Sequence, residues 1–227
     1  MLFRSCITWK NAGEKKKIKS FKIEEDNNKI IIKVEFILST ETPSKCNMTY
    51  IINGSGEIEI TQELIPGVNL PEIPEVGMMV NLMKEFENIT WYGKGPHENY
   101  CDRSVGARVG LFNGKVNEQL ENYLRPQECG NKTDVRWVTL TNRGGIGIKI
   151  SGLPLVEINA LPYTPKELEN SDHMYKLPVS DKVVLRVNYK QMGVGGDDSW
   201  GAKTHPEFTI NSNEIHSYSY KLKGIEI

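Results

Sequence analysis

A chain of 227 residues, 38% of them hydrophobic, can bury a sizeable core, and all-β domains often reach this size undivided. One domain over residues 1–227 is therefore expected, with residues 1–16 irregular. The 28 lysines and arginines are interspersed with 29 aspartates and glutamates for a net charge of -1, which leaves no basic face for nucleic acid or an anionic membrane and excludes both as partners.

From the N-terminus the hydrophobic pattern has a period of two. Lys17 to Glu24 sets Ile18, Phe21 and Ile23 among charges, and Lys29 to Leu38 continues as a β-branched run, so both read as strands. Tyr50-Ile51-Ile52 and Ile58-Glu59-Ile60 flank Asn53-Gly54-Ser55-Gly56, a hairpin signal because Asn and Gly tolerate the positive φ of tight loops. Leu64 to Val76 carries Pro66, Pro71 and Pro74, which remove ladder donors, and reads as an extended connection. Met79–Met83, Thr90–Tyr92, Val135–Leu140, Ile146–Ile150, Val156–Ala160, Val183–Tyr189 and Glu214–Lys223 read as further strands.

One helix start is well marked. Thr164-Pro165-Lys166-Glu167 supplies an N-cap hydroxyl, proline at the first helical position and a glutamate three after the cap. Many short strands with one brief helix argue an all-β, largely antiparallel fold rather than an α/β one. The cysteines Cys6, Cys46, Cys101 and Cys129 show no C-x-x-C pair and no ligand-like spacing to the histidines, so neither a metal site nor a disulfide framework is expected. Met1 to Cys6 lacks the apolar core of a signal peptide and no stretch approaches membrane-spanning length, so the expected location is cytoplasmic.

Three stretches are too polar for their surroundings. The first, Gln191-Met192-Gly193-Val194-Gly195-Gly196-Asp197-Asp198-Ser199-Trp200, combines backbone freedom, paired carboxylates and a large flat apolar face. It suits a sugar; it also suits a tight turn whose aspartates bond their own backbone and whose tryptophan fills the core. In the second, Trp91 to Arg103, the groups His97, Glu98, Asn99, Tyr100, Asp102 and Arg103 follow a Gly-x-Gly-Pro exit from a strand. Such a set is costly to bury unless its members bond one another, as Asp102 or Glu98 with Arg103 would. The alternative is a site in which His97 or Glu98 moves protons. The third, Arg125 to Trp137, reads as a solvated turn entering a strand.

Taken in order, Trp91-Tyr92-Gly93 through Asp102-Arg103, Arg125-Pro126-Gln127-Glu128 with Gly130-Asn131-Lys132 and Asp134-Val135-Arg136-Trp137, and Gln191 to Trp200 with Gly201-Ala202 resemble the C-terminal small-chain domain of β-galactosidases of glycoside hydrolase family 2. The resemblance runs from about Trp9 to the C-terminus. It implies an all-β, large antiparallel supersandwich, galactose-mutarotase-like, and a parent enzyme that hydrolyses terminal β-galactosides with retention. In that family the two catalytic glutamates lie on an upstream (β/α)8 barrel, where Mg2+ also sits. No barrel pattern occurs here, so no catalytic residue, metal ligand or cofactor is assigned to this chain, and the chain by itself is expected to be inactive.

The family's site contribution falls on Trp200, which resembles the tryptophan that reaches the rim of the barrel's active site and stacks on sugar. An aromatic plane against a pyranose positions substrate without consuming its hydroxyl hydrogen bonds. Asp197 and Asp198 match the family's paired aspartates and read as loop supports; His173 sits where the family commonly has histidine. His97, Glu98, Asp102 and Arg103 complete the candidates as site or loop support. Cys101 and Cys129 depart from the common proline and asparagine and put the entries of two loops in question. The partners implied are a galactoside and the remaining domains or large subunit of the galactosidase, with a homo-oligomer left open. Two other readings stand: a free-standing aldose 1-epimerase using His97, His173 and Glu98, and an assembly domain whose Trp200 packs against the parent's barrel.

Overall fold

The computed structural model describes residues 6–198 and 201–227; Trp200 lies outside the described residues. Eleven strands and two short helices follow in the order α1 (Ile7–Lys10), β1 (Lys17–Asp26), β2 (Lys29–Leu38), β3 (Ser44–Ile52), β4 (Ile58–Ile65), β5 (Glu75–Met83), β6 (Asn88–Gly95), β7 (Arg108–Lys115), β8 (Lys132–Thr141), β9 (Ile146–Leu161), α2 (Pro165–Glu169), β10 (Lys182–Gln191) and β11 (His216–Glu226). The strand pairings whose register is resolved are all antiparallel, so the all-β expectation holds. None of the four cysteines forms a disulfide, and no described helix is long and apolar enough to cross a membrane.

The chain packs as two compact units interleaved in sequence. The first comprises the chain up to Gly77, Tyr100–Arg103 and Tyr189–Lys223. Here β1, β2, β3, β4 and β11 lie side by side in that order, and period-two patterning puts one apolar face on all five. One cross-strand row reads Phe21, Val34, Met48, Gln62, Tyr218; the next reads Ile23, Ile32, Tyr50, Ile60, Tyr220. The opposite face carries Lys33, Glu35, Asn47, Thr61, Ser219 and Lys221, with ion pairs Lys19–Glu35 and Lys33–Glu24 at 2.9 and 2.8 Å.

The second unit comprises Met78–Asn99, Ser104–Asn188 and Gly224–Ile227. Its strands run β7, β6, β8, β9, with β10 on the far edge of β9. Trp91, Val135, Val138, Leu140, Ile150, Ile158 and Leu185 are buried almost completely; each such side chain contributes on the order of 2 kcal/mol.

Departures from the sequence expectations have local causes. β7 was not expected because Gly110 and Gly114 interrupt its alternation. The runs expected at 146–150 and 156–160 form one 16-residue strand, with Gly152 to Leu155 outside the register with β8, between Ser151, opposite Trp137, and Val156, opposite Val135. Four residues on one strand thus face one, Arg136, on the other, a bulge that re-aims the polar side chains beyond it. The expected helix is α2: Thr164 Oγ1 accepts from the Glu167 N–H at 3.2 Å while the Glu167 carboxylate accepts from the Thr164 N–H at 2.7 Å, and Leu168 packs on Cys129 and Leu161. α1 is a second, single-turn helix inside the stretch expected to be irregular.

Candidate functional site

Within the first unit, the Gly-rich loop leaves β10 at Gln191 and is tied down one amide at a time. Met192 N–H donates to the Pro74 carbonyl at 2.9 Å, Gly193 N–H to the Phe208 carbonyl at 2.8 Å and Gly195 N–H to Asp102 Oδ2 at 2.7 Å. Asp102 stands in a tight turn in which Arg103 N–H donates to the Tyr100 carbonyl at 2.9 Å, and the Arg103 guanidinium lies over the Tyr100 ring at 5.4 Å. The Cys101 thiol reaches the Gln191 and Phe208 carbonyls at 3.5 and 3.7 Å. Two of the singled-out stretches therefore meet, and a charge-assisted hydrogen bond joins them.

Close approach, not positive φ, is what demands glycine here. A Cβ on Gly193 would stand 2.4 Å from Thr204 Oγ1 and 2.7 Å from the Asp102 carboxyl carbon, and one on Gly196 would stand 2.2 Å from the Ala202 carbonyl oxygen. Beyond the glycines both aspartates hold the loop. Asp197 Oδ1 meets His205 Nε2 at 2.7 Å, and Asp198 Oδ1 accepts from the Ala202 N–H at 3.2 Å. The hydrogen bond and charge of Asp197, with Glu207 adding to them, raise the His205 pKa above its ordinary value. Asp198 and Ala202 are thus bonded to one another. Buried beneath the loop, Asp102 Oδ1 and Thr204 Oγ1 have no hydrogen-bond partner among the described residues.

Glu98 does different work in the second unit. Its carboxylate accepts from Tyr123 Oη at 2.5 Å and from the Gly130 N–H at 2.7 Å. Gly130 has φ 82°, open to glycine without strain, and a Cβ there would meet the Gln119 carbonyl at 2.7 Å. Around it lies a buried polar system. Asn99 Oδ1 accepts from the Thr133 N–H and hydroxyl at 2.8 and 2.7 Å, and Asn131 Nδ2 donates to the Asn99 carbonyl and to Glu157 Oε2 at 3.2 and 3.0 Å. Arg186 Nη2 meets Glu128 Oε1 at 2.6 Å, and Asn159 Nδ2 donates to the Cys129 carbonyl. Lys132 donates to the Gly130 carbonyl at 3.1 Å with its ammonium 5.3 Å from the Trp91 ring centre. Burial pushes the Lys132 pKa down to about 8 against the pull of Glu98 and Glu121. Asn131 Oδ1 and both amide atoms of Asn188 have no partner among the described residues.

The expected residues therefore divide. Asp102, Asp197 and Asp198 belong to one loop system, while Glu98 belongs to the polar system of the other unit. His97 is exposed, its carbonyl accepting from Asn99 Nδ2 at 3.0 Å. His173 is exposed and stacks on Tyr175, ring centres 5.2 Å apart and planes 9° apart. Sequence reasoning missed His205, which pairs with Asp197, and the buried quartet Glu157, Asn159, Arg186 and Asn188. Their signal was visible as polar residues at period two in β9 and β10, where both neighbours of each are apolar. Among the described residues no group of three or more His, Cys, Asp or Glu side chains is placed to hold a metal ion.

The family model described as beta galactosidase small chain matches residues 4–223. A beta-galactosidase of Priestia megaterium is 52% identical over 224 residues, 99% of this chain and 22% of its own length. One of Halalkalibacterium halodurans is 36% identical over 228 residues, with the same 99% and 22% coverage. The chain thus spans about a fifth of the length of these relatives. Among solved structures, the galactose 1-epimerase from Lactobacillus acidophilus overlaps 91% of this chain and 66% of its own, with a TM-score of 0.47 and 9% identity.

Proposed function

The chain belongs to the beta galactosidase small-chain family, and on that premise we propose that it is a noncatalytic, sugar-contacting part of a β-galactosidase. In this reading it lends Trp200 to an active site whose acid/base and nucleophile carboxylates stand on another part of the enzyme. The reaction is hydrolysis of a terminal β-D-galactoside. Trp200 supplies a flat apolar surface for one face of the pyranose, and the loop fixes where that surface stands.

The observation that carries the reading is the way the loop is held on either side of Trp200. Asp102 fixes Gly195 before it, the Asp198–Ala202 bond closes the turn across it, and Asp197–His205 ties the turn to the segment beyond. The aspartates spend acceptors on these bonds, so they shape the turn and leave the sugar to the indole.

Substitution of Trp200 by alanine in the assembled galactosidase tests this. Loss of stacking, worth on the order of 1–2 kcal/mol, should raise KM or Ki for galactosides roughly 5- to 30-fold with the thermal midpoint little changed. A lowered midpoint with unchanged sugar affinity would instead assign Trp200 to packing against the rest of the enzyme. The chain alone should not hydrolyse a chromogenic β-galactoside.

A further inference from the structure

The five-stranded sheet of the first unit buries its apolar face progressively, and the progression stops short of β1. In the row Phe21, Val34, Met48, Gln62, Tyr218, Phe21 is 55% exposed and the others 8, 6, 7 and 6%. In the adjacent row, Ile23 is 61% exposed while Ile60 and Tyr220 are 3 and 0%. Ile18, opposite Phe36, is 64% exposed, whereas Cys46, Leu64 and His216 further along its row are 7, 4 and 7%. Ile30, opposite Glu25 on the same margin, is also exposed. The bulge between Ile18 and Ser20 keeps Ile18 and Phe21 on one face although they are three residues apart. Judged by the size of these side chains, the open margin is on the order of a few hundred Å2 of contiguous apolar surface, the scale at which a patch marks an interaction site.

The geometry points to this margin, Ile18, Phe21, Ile23 and Ile30, as the seat on which the rest of the galactosidase polypeptide docks, an inference that rests on the proposed membership of a larger enzyme. Most of the length of the relatives lies outside the 22% that the chain matches, so in an enzyme of that length a large partner stands beside this part of it. The contact uses the face and not the edge. β1 ends the sheet, but its bulge and the lysines Lys17, Lys19 and Lys22 are features that discourage addition of another strand. The polar face is already satisfied by the Lys19–Glu35 and Lys33–Glu24 pairs. A second copy of the chain fits less well: a stable free-standing dimer needs roughly 800 Å2 from each partner, which this margin does not offer. A domain tethered on the same polypeptide, or held by a permanent subunit interface, needs no such area because its effective concentration is already high.

Hydroxyl-radical footprinting of Ile18, Phe21, Ile23 and Trp200 compares the chain alone, at low concentration, with the complete galactosidase. The side chains on β1 should label readily in the chain alone and at least tenfold less in the complete enzyme. A Phe21→Lys/Ile23→Lys double variant should leave the thermal midpoint of the chain alone unchanged, because both side chains are exposed there. In the complete enzyme it should lower the midpoint or, for a two-subunit enzyme, raise the Kd between subunits at least tenfold. Unchanged β1 labelling with protected Trp200 would overturn the docking seat and keep the sugar-site reading. Protection that instead grows with the concentration of the chain alone, together with a dimer mass, would assign the margin to a second copy and overturn the proposal. If neither β1 nor Trp200 is protected, both readings fail.

Discussion

Two polar systems, one in each unit, look alike in sequence and behave differently in structure. Around Asn99, Asn131 and Arg186 the side chains are buried and, with the half-buried Glu98 and Glu128, bond one another and the backbone several times over. Around Asp102 and Gly195 the loop is held by single bonds to backbone amides, with Asp197 and Asp198 exposed. Density of polar residues therefore does not separate a buried scaffold from an exposed loop; the partners of their bonds do. Side chains that bond one another many times over are held more rigidly than a loop tied at a few separate points.

If that contrast is right, the largest loss should come from the closed system. Glu128→Ala removes the carboxylate that stands 2.6 Å from Nη2 of Arg186, whose side chain is 5% exposed. Removing one member of a buried pair costs roughly 3–5 kcal/mol, so the denaturant midpoint of the second unit should fall steeply. A Glu128→Leu/Arg186→Met variant, which removes both charges, should recover much of that loss. A Glu128→Ala loss below about 1 kcal/mol would break the contrast, because the pair would then behave like an exposed one.

Lys132 makes a second test of the same region, smaller and opposite in character. Its pKa is about 8 in the fold against an ordinary 10.5. Below pH 8 it is charged in both states, so the fold bears the whole cost of burying the charge. Between about pH 8 and 10.5 the unfolded chain binds the proton more tightly, so stability gains with pH across that window, on the order of a few kcal/mol in total. Denaturant titrations at pH 7.5 and 9.5 should show the rise, and Lys132→Met should abolish it while raising stability at pH 7.5.

Much of this was legible in the sequence, and what was not has definite causes. Period-two patterning and the Thr164–Glu167 cap carried the strands and the helix because those signals are local. β7 escaped because glycines occupy alternate positions, and β9 was divided in two because Leu153 and Pro154 look like a strand end but form a bulge. For the site, the sequence singled out Asp102, Asp197 and Asp198, and family order joined their stretches. It did not reveal that Asp102 meets Gly195, since the two stand 93 positions apart, nor that Asp197 meets His205. Glu98 and the stretch around Glu128 looked like a site entrance and a solvated turn. Only the partners Asn159 and Arg186, buried on strands far along the chain, show that Glu128 is tied to the core.

The smallest expected effect lies in the Gly-rich loop. His205 is half exposed and its pKa is raised by Asp197 and Glu207, so the Asp197–His205 contact is strongest with the imidazole protonated. A group whose pKa is higher folded than unfolded adds stability that is fully present below the unfolded value of 6.5 and is lost as pH rises through the folded one. Acid therefore tightens the loop and alkali loosens it, the reverse of the trend at Lys132. Amide exchange measured by NMR and corrected for intrinsic pH dependence should show protection at Asp198 and Ala202 falling from pH 5.5 to 8, with Gly195 far less affected because its tie to Asp102 contains no imidazole. His205→Gln should flatten the profile while leaving the denaturant midpoint nearly unchanged. A profile equally steep at Gly195, or one that survives in His205→Gln, would mean that the loop moves as a single closed unit, and the distinction between the two polar systems would be lost.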